Sequence, residues 1–90
     1  MLGVDMSTAT KRSSRFSYSE RYALFLKKLK QARLDAGLTQ AQVATALGEL
    51  QSFVSKCEAG ERRVDIVELE RFGKLYRKPI SEFLESRERR

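Results

Sequence analysis

Four side chains near the middle of the chain, Gln51, Ser52, Ser55 and Lys56, combine polar chemistry with helical spacing. Residues three and four apart are neighbours on one face of a helix. A carboxamide donates and accepts together, a hydroxyl does either, and an ammonium donates. The chemistry they offer is recognition of a polar edge by hydrogen bonds. A catalytic set is missing elsewhere. The chain has no histidine and one cysteine, Cys57, so a Cys–His nucleophile and an ordinary zinc site are excluded. Cys57 falls in phase with Val54 and reads as a small core hydrophobe. Carboxylates such as Glu58 and Glu61 read as helix-surface charge. We therefore expect no enzyme, no metal and no cofactor.

Short helices must position these residues. From Tyr22 the series Phe25, Leu26, Leu29, Ala32, Arg33 and Ala36 recurs at helical spacing, after a capping-box pattern at Ser17–Glu20 and before Gly37. This predicts helix one over 18–36. Thr39 and Gln42 repeat the capping box, with Leu38 and Val43 as a hydrophobic staple, and open a helix that buries Val43, Ala44 and Leu47 up to Gly48. Helix three runs over 51–59, with Val54 and Cys57 inward, and Gly60 ends it. Phe53 has three readings at this level: a core side chain, a contact for a thymine methyl, or a prop for the turn. Asp65 and Glu68 form a further capping box, and helix four, over 66–76, is expected to bury Ile66, Leu69, Phe72, Leu75 and Tyr76. Pro79 suits the first turn of a fifth helix, whose apolar side is Ile80, Phe83 and Leu84. No strand-type alternation of useful length and no solenoid repeat occurs.

Ninety residues allow one small domain. We divide them into a flexible basic arm (1–16), a helical domain (17–86) and a charged tail (87–90). Net charge is +6, from 18 Lys and Arg against 12 Asp and Glu, which favours a polyanionic partner. Eight basic and three acidic residues lie in 1–48, ten and nine in 49–90. A nonspecific nucleic-acid coat would be uniformly basic. Lys27, Lys28 and Lys30 read as solvated helix surface. Lys11, Arg12 and Arg15 read equally as a DNA-grasping arm or as a solubilising tail. A single cysteine fits a reducing compartment, and no apolar run reaches the ~18 residues of a membrane span. The N-terminal stretch lacks the apolar core of a secretory signal. We expect a cytoplasmic protein with no membrane contact.

An α-helix with its side chains is about 10–12 Å across and the DNA major groove about 12 Å wide, so a helix held at a fixed angle can enter it. Two short helices across the Gly48-Glu49-Leu50 turn provide such an angle. Gln51 can pair with adenine, Lys56 with guanine, and Ser52 and Ser55 with either class of edge. Thr39 and Gln40 open helix two, where free backbone N–H groups suit a phosphate.

Residues 37–60 resemble the helix-turn-helix of the lambda-repressor and Cro-like (XRE) family. The resemblance lies in GLTQ at 37–40, Ala44, LG at 47–48, QSxVSKxE at 51–58 and Gly60, and extends more weakly over 22–84. It implies an all-α, five-helix DNA-binding domain. Within it, Gln40 meets backbone phosphate, Gln51, Ser52, Ser55 and Lys56 approach bases, and Arg62 and Arg63 lie near phosphate. It further implies an ion pair between Arg33 and Glu58, which explains an arginine on an apolar face. The chain departs from the family at Glu49-Leu50, where an apolar residue and a small polar cap are usual, and at Arg77, where a glycine often ends helix four.

The function expected from this resemblance is that of a small prokaryotic or phage transcriptional regulator, a repressor binding palindromic operators as a homodimer. Tyr18, Tyr22 and Phe25, or Phe83 and Leu84, are candidate dimer surfaces. The rival expectations are an antitoxin with a second protein as partner, and a restriction–modification controller.

Overall fold

The computed structural model describes residues 18–84. Within them lie four α-helices: α1 (Tyr18–Asp35), α2 (Gln40–Leu47), α3 (Gln51–Ala59) and α4 (Ile66–Tyr76). No strand occurs among the described residues. The basic arm with Lys11, Arg12 and Arg15, the Ser17 cap, the Tyr18 side chain and the tail at 87–90 lie outside the description.

The element after Pro79 is not the expected α-helix. Over Ile80–Phe83 the chain makes a single 3-10 turn, closed by bonds from Glu82 N to Pro79 O (2.9 Å) and Leu84 N to Ser81 O (3.2 Å). Pro79 is extended, has no capping side chain to offer, and Leu84 returns to extended geometry at φ −90°, ψ 156°. With so few bonds and no cap, nothing propagates the turn; burial of Phe83 fixes it in place.

Local chemistry sets the other boundaries. Gln42 N donates to Thr39 Oγ1 at 3.0 Å while Thr39 N donates to Gln42 Oε1 at 2.8 Å. Glu68 N and Asp65 N repeat the reciprocal pair at 2.8 and 3.0 Å. Both capping boxes are thus complete. The C-terminal ends share one device, in which two successive backbone N–H groups turn back onto the last carbonyls. At the end of α2, Gly48 N reaches Thr45 O and Glu49 N reaches Ala44 O. Gly48 adopts φ 72°, and at the end of α4 Arg77 takes the same left-handed role at φ 61° despite its side chain.

Every element contributes to one core: Leu29 and Ala32, Val43 and Ala44, Val54 and Cys57, Leu69, Phe72 and Tyr76, and finally Phe83. Phe72 stacks between Phe53 and Tyr76, with ring centroids 6.2 and 5.9 Å away. Gly73 admits the returning chain: a Cβ there would stand 2.8 Å from the Lys78 carbonyl oxygen. Two expected core residues are out. Ile66 is 64% exposed and Leu84 54%, because both line an open cleft that no other element among the described residues covers.

Candidate nucleic-acid interface

Against the core, α2 and α3 bury Val43, Ala44, Val54 and Cys57, and this contact fixes the angle between them. The opposite side of α3 follows by periodicity. Gln51, Ser52 and Lys56 are exposed there and Ser55 is half-buried. Thr39, at the start of α2, is exposed, and Gln40 is half-buried. The structure therefore places the four recognition candidates on the outward part of α3, whose Glu58 reaches the start of α2. The Thr39 hydroxyl already serves as the α2 cap.

The inner end of α3 is fastened by charge. Arg33 Nε donates to Glu58 Oε2 at 2.7 Å and Nη2 to Oε1 at 3.1 Å. The two side chains are 9% and 5% exposed. Arg33 Nη1 also donates to the Leu38 carbonyl at 3.0 Å. Bonding to Glu58 raises the Arg33 pKa against the opposing effect of burial. Gln40 Nε2 donates to Glu58 Oε1 at 3.0 Å, so the amide at the start of α2 is oriented by the same carboxylate. Three segments, α1, the α2 start and α3, meet on Glu58. The Tyr76 hydroxyl is buried without a hydrogen-bond partner, and burial raises its pKa.

The family model of a helix-turn-helix domain matches residues 24–83. The chain belongs to that family. No curated protein matches it. Such motifs hold a second, recognition helix for the major groove, and α2, the Gly48 turn and α3 have a helix-turn-helix arrangement within the matched residues.

The turn has a support that sequence reasoning missed. Arg71 of α4 donates through Nη2 to the Leu47 carbonyl and through Nη1 to Glu49 Oε2 at 3.3 Å. Glu49 is thereby partnered. Only the opposite charges of Glu49 and Arg71 could have hinted at this, and their separation in sequence gives no local signal. Leu50, the N-cap position of α3, makes no capping bond.

Arg62 and Arg63 do not reach freely from the α3–α4 connection. The Arg62 guanidinium lies 4.7 Å from the Phe53 ring centroid and Nη1 donates to Glu68 Oε1 at 2.8 Å. Arg63 lies 4.3 Å from the Tyr22 centroid. Arg62 lowers the Glu68 pKa by donating to it, opposed by partial burial, and the same bond raises its own. Phe53 is half-buried between Arg62 and Phe72, a packing role. Burial raises the Cys57 pKa.

The two candidate protein-contact surfaces prove to be one. Tyr22 and Phe25 of α1 line, with Ile66, Leu69, Phe83 and Leu84, an open cleft of about 700 Å³. Among the described residues no helix is long and apolar enough to cross a membrane, and no cluster could hold a metal ion.

Proposed function

We propose that the protein is a sequence-specific double-stranded DNA-binding regulator. In this reading α3 enters the major groove, and Gln51, Ser52, Ser55 and Lys56 read base edges. Thr39 and Gln40 bring the start of α2 to a phosphate, with Gln40 aimed by Glu58. Arg62 and Arg63, braced on aromatic rings, flank α3 as further phosphate contacts. Phosphate contacts set register and salt dependence, and base contacts set preference. One observation carries the reading: the polar face of α3 formed by Gln51, Ser52, Ser55 and Lys56 stands outward, while α2 and α3 are locked from behind.

The reading extends to a lambda-repressor-like, XRE-family repressor that acts in the cytoplasm as a homodimer on palindromic operators, with no enzymatic role. The apolar cleft of Tyr22, Phe25 and Leu84 supports a surface for the second copy. Selection from a random-duplex library, read by sequencing, tests the whole. A palindromic motif with half-site centres about one helical turn apart, ~34–36 Å, is expected. Recovery of unenriched sequence would remove DNA recognition from the protein's function.

A further inference from the structure

Leu50 is the most exposed large hydrophobic side chain among the described residues, at 76%. Its backbone, at φ −78° and ψ 152°, has the extended cap geometry of Thr39 and Asp65. Those two residues accept the N–H three positions on and complete their boxes; Leu50 accepts it only through its carbonyl, from Phe53 N at 3.0 Å. A serine or aspartate at position 50 would cap α3 and stabilise it. The chain instead leaves an apolar group in water there, immediately before Gln51 and Ser52.

The surroundings restrict what that group could meet. Glu49 beside it is held by Arg71, so the tip of the turn carries a balanced pair and no spare positive charge for a phosphate. In the major groove the apolar feature of a base pair is the thymine C5-methyl. We propose that Leu50 is a specificity-determining residue that packs against one thymine methyl per half-site, at the edge of the bases read by α3. The inference rests on the DNA-binding reading above. It gives the unusual cap a function: helix stability is exchanged for a base contact.

The test starts from sites selected by the wild-type protein. Each thymine is replaced in turn by deoxyuridine, which removes one methyl group, and binding is measured for wild type, Leu50→Ser and Leu50→Ala. Wild type is expected to lose about fourfold at one thymine per half-site, the equivalent of one buried methyl. Both variants should be indifferent to that replacement, and Leu50→Ser should melt at a higher temperature than wild type. A merely structural Leu50 would leave the deoxyuridine pattern unmoved. Selected sites without a thymine at the edge of the α3 contacts would overturn the proposal. So would equal methyl dependence in all three proteins, or none in wild type. An enriched motif with any of these outcomes leaves DNA recognition standing, whereas no enriched motif removes both together.

Discussion

At its C-terminal end α3 is tied inward through Glu58 to Arg33 and Gln40. At its N-terminal end Leu50 offers no cap, and the turn relies on Arg71 reaching from α4 to Leu47 and Glu49. The closed end holds buried charge whose partners cannot be removed cheaply. The open end rests on one long-range arginine, and its exposed Glu49 and Leu50 stabilise little. The difference teaches where α3 can vary: the exposed Gln51 and Ser52 sit at the end where the fold asks least of them.

The largest expected effect lies at the closed end. Glu58→Ala leaves the Arg33 guanidinium buried without its carboxylate and is expected to cost about 3–5 kcal/mol, against near zero for the exposed Glu61→Ala. Melting temperatures of the two variants check this, and equal values would break the contrast. At the open end Arg71→Ala loses a charge-assisted bond to a backbone carbonyl and should cost about 1.5–3 kcal/mol in urea unfolding. Glu49→Ala, which removes only a surface pair, should cost less than about 1 kcal/mol. Leu50→Ser should act in the opposite direction and stabilise by about 1 kcal/mol. A destabilised Leu50→Ser would mean that the open end is already optimally closed.

The smallest effect concerns Glu68, whose depressed pKa follows first from the Arg62 hydrogen bond. A carboxylate with a lowered folded pKa stabilises the fold above its ordinary value of 4.5. That contribution is lost as pH falls through the lower folded value. Wild type should therefore shed stability on acidification in this window, and Glu68→Gln should show a flatter profile, with a smaller loss at neutral pH than Arg71→Ala. Unfolding free energies across acidic pH check it.

Much of this was legible in the sequence because it is local. The boxes at Thr39–Gln42 and Asp65–Glu68, the stops at Gly48 and Gly60, and the phase of Val54 and Cys57 are encoded within a few residues of where they act. The outward face of Gln51, Ser52 and Lys56 follows from that phase. What was not legible is long-range. Arg71 meets the turn from 22 positions past Glu49. Gly73 is small because the chain returns past it at Lys78. Phe53 is placed by rings and a guanidinium from other segments. The stretch after Pro79 has helix-like spacing but too few bonds to continue, and Ile66 has an apolar neighbour's spacing but nothing among the described residues to cover it.

The most direct measurement is site selection repeated with Gln51→Ala and Gln40→Ala beside wild type. If α3 reads bases and the start of α2 holds phosphate, Gln51→Ala relaxes preference at one position of the motif by about 1–3 kcal/mol. Gln40→Ala then keeps the motif and binds every site more weakly. An unchanged preference in Gln51→Ala would contradict the assignment of α3 as the reading helix.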